Sequence, residues 1–253
     1  MQVLILAAGY GTRLYPLTKD KPKPLLPCNE KPIINYLLDK VKDFRSLSEV
    51  IVVTNNRFSG DFEKWAKEQK KFPAAIRVVN DGTMSPEDRL GAMGDIHFVL
   101  KNEMITDDLL VMGGDNLFDY SLTDYVRVSQ EKRPSATIGL YDLKSKEKAK
   151  IFGVVAIDEN KKITSFEEKP KEPKSTLIAM CLYYLPKESF RLIDDYLKSA
   201  KSADTTGDYI NWLSKQQAVY GFRFEGRWYD IGSIEAYHEA QADFKLINER
   251  KGN

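Results

Sequence analysis

An α/β fold on a largely parallel sheet is the architecture this sequence predicts. Short apolar runs at residues 3–6, 50–54, 75–79 and 109–112, several of them rich in β-branched side chains, read as buried strands. Segments with apolar residues at helical spacing lie between them. That strand–helix–strand–helix–strand order calls for right-handed crossovers and hence for parallel strands. A length of 253 residues suits one large α/β domain or two small ones, and it can bury a substantial core.

The first strand, Val3-Leu4-Ile5-Leu6, runs into small residues and two glycines, Ala7-Ala8-Gly9-Tyr10-Gly11. A helix is predicted over 33–41, where Ile33, Ile34, Leu37, Leu38 and Val41 form a stripe and Pro32 suits the first turn. Residues 50–54 make a second strand. Phe62, Trp65 and Ala66 mark a short helix, and residues 75–79 a third strand. Asn80-Asp81-Gly82-Thr83 reads as a turn, and residues 89–96 open another helix. The fourth strand, 109–112, ends at Gly113-Gly114-Asp115-Asn116. Ser121 is expected to cap a helix to about 131, and a strand follows at 135–141. Residues 144–150 are mostly charged, a solvated loop or short helix. Strands at 152–157, 163–167 and 178–185 with short turns suggest a β-rich second half. Helices are expected at 186–197 and 208–213, a strand at 218–224, and a closing helix at about 233–247. No internal repeat is visible, and no hexapeptide β-helix repeat follows.

Composition narrows the function. Lys and Arg number 38 against 37 Asp and Glu, a formal charge of +1, so bulk charge predicts neither a nucleic-acid nor a membrane partner. No apolar stretch approaches a membrane span, and the chain starts directly on a core strand, which predicts no signal peptide. Cys28 and Cys181 show no metal-type spacing, and a reduced, cytoplasmic compartment is the simplest expectation. His97 and His238 are the only histidines, and neither lies near a candidate nucleophile in sequence.

The loop after the first strand carries the chemistry. Glycines leave no Cβ in the way, so backbone N–H groups there can close on an anion. Arg13 follows two residues after Gly11, and Lys23 stands between Pro22 and Pro24. A strand, an amide-rich loop and two fixed cations suit a triphosphate. Gly-x-Gly alone also fits an ordinary turn, but the Rossmann pattern lacks its third glycine, with Leu14 in that place. The Walker pattern lacks Gly-Lys-Ser/Thr. Asp115 ends a buried strand, where the ligand crevice of an open α/β sheet lies. A carboxylate beside a triphosphate calls for a cation between them, and Mg²⁺ suits that place; Gly-Gly-Asp-Asn is equally compatible with a plain turn.

The longer string Leu6-Ala7-Ala8-Gly9-x-Gly11-Thr12-Arg13-Leu14-x-Pro16-Leu17-Thr18 with Pro22-Lys23-Pro24-Leu25 resembles the signature of the sugar-nucleotide pyrophosphorylases, the nucleoside-triphosphate:sugar-1-phosphate nucleotidyltransferases. The resemblance implies a Rossmann-like three-layer sandwich with a mixed, mostly parallel sheet. It implies one domain over 1–253, with a nucleotide-binding half at about 1–142 and a sugar-binding half at about 143–253. Leu6, Ala8, Gly9, Gly11 and Thr12 would line the nucleotide, and Arg13 and Lys23 would be catalytic. The family's metal aspartate lies in a Gly-Asp-Asn like that of Asp115. Trp228-Tyr229-Asp230-Ile231-Gly232-Ser233 resembles its Trp-x-Asp-x-Gly-Thr segment, which makes Asp230 the second Mg²⁺ ligand. Glu167-Glu168-Lys169-Pro170 resembles the sugar-phosphate segment, with Lys169 on the phosphate and Glu168 on sugar hydroxyls. Phe152-Gly153-Val154-Val155 resembles the Tyr-Gly-Val-Val that lines the sugar pocket, with Gly153 admitting the sugar and Phe152 lacking the tyrosine hydroxyl. Cys181 stands where relatives often have glycine, and a small core residue is its plainer reading.

The base is left open. Gly91-Ala92 resembles the segment whose backbone approaches the base. The glutamine that reads the pyrimidine edge in thymidylyltransferases is missing between Gln69 and Gln130, and Asp81 and Gly82 of Asn80-Asp81-Gly82-Thr83 are the substitute. The expected partners are a nucleoside triphosphate and a phosphorylated small molecule, a sugar 1-phosphate first, and a homo-oligomer is compatible with the sequence. Two other readings stand beside this one. A CTP-dependent cytidylyltransferase acting on phosphocholine or another small phosphorylated alcohol or phosphonate would need an aromatic cage for a quaternary ammonium, for which Tyr183, Tyr184, Trp212, Trp228 and Tyr229 are available but read first as core. A silent nucleotide-sensing subunit would not require Arg13, Lys23, Asp115, Asp230 and Lys169 together.

Overall fold

A computed structural model describes residues 1–199 and 205–251, with side chains as far as residue 244. In chain order it contains β1 (Gln2–Leu6), the hairpin strands β2 (Pro27–Cys28) and β3 (Lys31–Pro32), α1 (Ile33–Val41), β4 (Glu49–Thr54), α2 (Ser59–Glu68) and β5 (Ala75–Asn80). Then follow α3 (Gly91–Asn102), β6 (Leu109–Gly113), β7 (Asn116–Phe118), α4 (Thr123–Glu131), β8 (Ala136–Asp142), α5 (Lys146–Ala149), β9 (Gly153–Ile157), β10 (Ile163–Glu168) and β11 (Leu177–Leu185). The chain closes with α6 (Phe190–Ser199), α7 (Thr206–Gln216), β12 (Val219–Phe224), β13 (Trp228–Asp230) and α8 (Ile234–Lys251). The predicted strands and helices occur in the predicted order, and the short strands β2, β3, β7 and β13 come in addition to them. Two corrections concern caps: Leu122 is the N-cap of α4, while the Ser121 hydroxyl accepts the Thr123 N–H at 3.1 Å, and α7 begins two residues before the expected Asp208.

The chain divides into two compact units, each assembled from separate segments. One comprises Met1–Leu4, Leu90–Met112 and Ser121–Glu225; the other comprises Ile5–Arg89, Gly113–Tyr120 and Gly226–Asn253.

In the first unit β11 pairs antiparallel with β6, β8 and β9, β10 pairs antiparallel with β9, and β12 lies parallel to β8. Hence β6, β8, β9 and β12 share one direction and only β10 and β11 oppose it, the mixed, mostly parallel arrangement that was expected. Burial explains the strands: Leu109, Leu110, Ile138, Leu140, Ile178 and Tyr184 are fully enclosed. A buried carboxylate, Asp108, is matched by donors on every side. The Tyr184 hydroxyl donates at 2.6 Å, the Lys187 N–H donates at 3.1 Å, and Arg133 stands 3.4 Å away. An acid enclosed without such partners would be strongly destabilising.

In the second unit β4 and β5 are parallel, in register from Glu49 opposite Ala75 to Thr54 opposite Asn80. The predicted stripe of α1 is buried along its length. A core cluster joins distant parts of the sequence: Leu14, Leu26, Cys28, Ile33, Tyr36, Leu117, Ile231, Tyr237, Ala240 and Phe244. This places α8, which follows Asp230, against the segments that carry the signature. Each enclosed Leu, Ile or Phe contributes about 1.5–3 kcal/mol, so the cluster holds those segments firmly.

Candidate functional site

The end of β1 is fixed by backbone hydrogen bonds. Ala7 N–H donates to the Val53 carbonyl and Gly114 N–H to the Leu6 carbonyl, both at 2.9 Å, and the Asn55 amide donates to the Ala8 carbonyl at 2.8 Å. Gly11 turns the chain in the left-handed region (φ 65°, ψ 22°), and its carbonyl accepts the Thr18 hydroxyl at 2.7 Å. Thr12 and Arg13 then stand exposed on a single 3₁₀ turn, Thr12–Leu14. A Cβ added at Gly9 would meet nothing within 4 Å, so the loop is open over that residue.

Three segments far apart in sequence meet at Gly114. A Cβ there would lie 2.8 Å from the Leu6 carbonyl oxygen and 2.9 Å from Pro24 Cγ. The stiff Pro22-Lys23-Pro24 segment is thereby packed against the loop that carries Asp115, and Lys23 Nζ donates to Asp115 Oδ2 at 2.6 Å. The lysine side chain is 13% exposed and the aspartate 29%, so the pair is enclosed but reachable. Burial pushes the Asp115 carboxyl up; the Lys23 ammonium outweighs that push and holds it below the ordinary carboxylate range.

Asp230 arrives by another route. β13 pairs antiparallel with β7, setting Asp230 opposite Asn116, and the Ile231 N–H donates to the Asp115 carbonyl at 3.1 Å. A Cβ at Gly232 would find Asp230 Oδ2 at 3.5 Å and both terminal nitrogens of Arg13 at 3.8 and 3.9 Å. Arg13, Asp115, Asp230 and Lys23 therefore belong to one unit and one locale. Asn116 ties it together: its amide donates to Asp115 Oδ1 at 3.1 Å, and its carbonyl accepts the buried Trp228 indole N–H at 2.7 Å. Sequence reasoning passed over Asn116, because a three-residue strand such as β7 has no readable period. Trp228→Phe leaves the Asn116 carbonyl unpaired and should lower stability by about 1–3 kcal/mol, measurable as a lowered midpoint in urea.

Asp81, Gly82 and Thr83 lie in the same unit. Asp81 N–H donates to the Thr54 carbonyl, and Asp81 Oδ1 accepts both the N–H and the hydroxyl of Thr83, all at 2.8 Å. The Tyr10 hydroxyl, from the signature loop, reaches Thr83 Oγ1 at 3.3 Å. Gly82 has a positive φ of 82°, and Gly91, the first residue of α3 in the other unit, one of 77°.

The residues predicted for an acceptor cluster in the first unit. Gly153 on β9 is opposite Glu168 on β10. Lys169 follows in the left-handed region (φ 45°), its N–H held by the Phe152 carbonyl at 3.1 Å and its Nζ 3.5 Å from Glu168 Oε1. A lysine with that backbone is strained, and such strain gathers at sites of function. Burial pushes the Glu168 carboxyl up, and Lys169 only partly offsets this. Nearby, the Tyr183 hydroxyl and Thr206 Oγ1 share a hydrogen bond of 2.7 Å. Thr206 and Gly207 open α7, and this turn was missed in the sequence. Its signal was Thr205-Thr206-Gly207-Asp208, a cap in which the Thr205 hydroxyl accepts the Asp208 N–H at 3.3 Å.

The aromatic residues considered for a cage serve the core. Tyr184 is fully buried on Asp108, Trp228 holds Asn116, Tyr229 donates to Asp243, and Trp212 packs on Tyr209 and Tyr196.

Asp115 and Asp230 are hard oxygen donors on adjacent segments. Among the described residues no group of three or more His, Cys, Asp or Glu is placed to hold a metal ion. A magnesium ion takes only one or two carboxylates and fills its octahedron with water and phosphate oxygens, so the pair fits that ion. No helix among the described residues is long and apolar enough to cross a membrane.

The family model described as nucleotidyl transferase matches residues 2–245. A UTP–glucose-1-phosphate uridylyltransferase of Synechocystis sp. is 31% identical over 248 residues, which are 95% of this chain and 62% of that protein; the chain thus spans about three fifths of that relative. A glucose-1-phosphate thymidylyltransferase of Neisseria meningitidis serogroup A is 30% identical over 252 residues, 98% of this chain and 83% of that protein. Among solved structures, a Bacillus anthracis protein described as a glucose-1-phosphate thymidylyltransferase, in complex with sucrose, matches with a TM-score of 0.78 at 27% identity, covering 96% of this chain and 94% of that one.

Proposed function

We propose that this chain, which belongs to the nucleotidyl transferase family, transfers a nucleoside monophosphate from a nucleoside triphosphate to a sugar 1-phosphate, releasing pyrophosphate and forming an NDP-sugar. The observation that carries the reading is the meeting of Lys23, Asp115, Asp230 and Arg13 beside the open glycine loop.

In this reaction an oxygen of the acceptor phosphate forms a bond to the α-phosphorus. The bond from that phosphorus to the bridging oxygen breaks in line, and pyrophosphate leaves with the electron pair. A phosphate monoester is largely dianionic at neutral pH, so the nucleophile needs no general base. The chain's task is positioning and the stabilisation of negative charge. Leu6, Ala8, Gly9, Gly11 and Thr12 form the cradle for the nucleotide, with Asp81 and Gly82 toward the base. Arg13, exposed on its turn, holds the departing pyrophosphate with its planar fork. Lys23 neutralises the α-phosphoryl oxygens. Asp115 and Asp230 would hold Mg²⁺, which supplies Lewis-acid charge stabilisation when bound. Lys169 binds the acceptor phosphate, while Glu168 and Gly153 face its hydroxyls.

The reading is tested by pyrophosphate release with Mg²⁺, crossing dTTP, UTP, CTP and GTP with glucose 1-phosphate and phosphocholine. Turnover with glucose 1-phosphate and one or two of the triphosphates is expected, and chelation of the metal should abolish it. Turnover with CTP and phosphocholine alone would overturn the sugar assignment.

A further inference from the structure

Two glycines border one carboxylate in the first unit, and they differ in what a side chain would strike. A Cβ at Gly153 would collide with the Phe166 ring, whose Cε1 lies at 2.8 Å and whose Cζ is nearer still, and would reach Glu168 Oε2 at 3.1 Å. Phe166 is 5% exposed, a core ring with little room to yield. A Cβ at Gly207 would overlap Glu168 Oε2 itself and lie 3.0 Å from Phe166 Cε1. Here the main obstacle is the free end of a flexible side chain. Glu168 therefore occupies a slot that exists only because the first turn of α7 has no side chain at residue 207.

We infer that Gly207 is a positioning residue of the acceptor site: it leaves the space in which the Glu168 carboxylate is held, and so sets which acceptor hydroxyls that carboxylate can reach. The inference rests on the acceptor role proposed for Glu168. The setting is tightly specified. Thr206, one residue earlier, is bonded to Tyr183, and the Thr205 cap on Asp208 fixes the turn. Lys169 faces the same carboxylate from the other side at 3.5 Å. A methyl group at 207 leaves Glu168 no path but rotation away from the slot. The Phe166 ring, at 3.0 Å, must also give by a few tenths of an ångström, but the larger displacement falls on the carboxylate. Gly153→Ala is the opposite case, since there the larger displacement falls on the buried Phe166.

The test is a double-mutant cycle with an independent spectroscopic readout. Gly207→Ala should raise the KM for the sugar 1-phosphate about tenfold or more, the loss of one hydrogen bond to a charged group. The KM for the triphosphate should stay close to wild type, and the melting temperature should fall by less than in Gly153→Ala, whose methyl group presses harder on the Phe166 ring. In a Glu168→Ala background, Gly207→Ala should have no further effect on the acceptor KM. The Glu168 carboxyl, followed by carbon NMR of labelled protein, should titrate above the ordinary range in the wild type and return toward it in Gly207→Ala. An unchanged Glu168 titration, or equal losses in both backgrounds, would overturn the inference. A wild-type protein that binds no sugar 1-phosphate, with the Glu168 titration nonetheless moved by Gly207→Ala, would overturn the acceptor reading and leave the positioning intact.

Discussion

Lys23→Ala is expected to lower kcat by about 10³-fold, the usual loss when one preorganised donor is removed from developing transition-state charge. Lys23 is enclosed, its ammonium lies 2.6 Å from Asp115, and prolines on both sides restrict its backbone. Without it, the Asp115 carboxylate faces an incoming triphosphate with one less positive charge between them, so the KM for the triphosphate should rise as well. Stability should fall only modestly, because Asp115 is reachable by water. Arg13→Ala should cost a similar factor in turnover with no loss of stability, since Arg13 is exposed. Because Lys23 and Asp115 act as a pair, the losses in Lys23→Ala and Asp115→Asn should not add in the double variant. A surface control is Arg127→Ala, which breaks only exposed pairs with Asp124 and Glu131 and should stay near wild type. Steady-state kinetics with circular dichroism decides the matter, and near-normal turnover in Lys23→Ala would refute the role assigned to it.

Much of the fold was legible in the sequence because its strands are buried apolar runs. Residues 3–6, 50–54 and 109–112 declare themselves, and the stripe of α1 needs no tertiary help. The segments left unread are those whose structure comes from partners distant in sequence. β7 and β13 have three residues each and exist because Trp228 pairs with Phe118 and Asp230 with Asn116. The β2–β3 hairpin has two residues a side and makes no local pattern. The site was legible in part for the same reason. Glycines, prolines and lone charges announce that a loop is unusual. They do not announce which other loop it meets. The packing of Pro24 on Gly114, the reach of Arg13 over Gly232 toward Asp230, and the slot beneath Glu168 are long-range facts. Lys169 carries a backbone strain that no lysine would signal in sequence.

Gly114→Ala should damage stability and turnover together, and the contrast with Gly9→Ala separates the two contributions. At Gly114 the added methyl would lie 2.8 Å from the Leu6 carbonyl oxygen, which already accepts the N–H of Gly114 itself. It would also press on Pro24 Cγ at 2.9 Å. One obstacle is backbone and the other a proline ring, so neither can swing aside. Overpacking of this kind costs about 1–3 kcal/mol, and a chain of this size loses roughly 2–4 °C of melting temperature per kcal/mol. The relief movement separates the Asp115 loop from the segment that carries Lys23, so turnover should fall even in the fraction that stays folded. At Gly9 the added methyl meets nothing in the protein within 4 Å. Gly9→Ala should therefore leave the melting temperature unchanged. It should still raise the KM for the triphosphate, because the space the methyl fills is the space the phosphates need. Calorimetry and steady-state kinetics on the two variants give four outcomes. If Gly9→Ala keeps a wild-type KM, the open face of the loop does not receive the nucleotide. If Gly114→Ala keeps wild-type stability, the close packing of Leu6, Pro24 and Gly114 is not what joins Lys23 to Asp115.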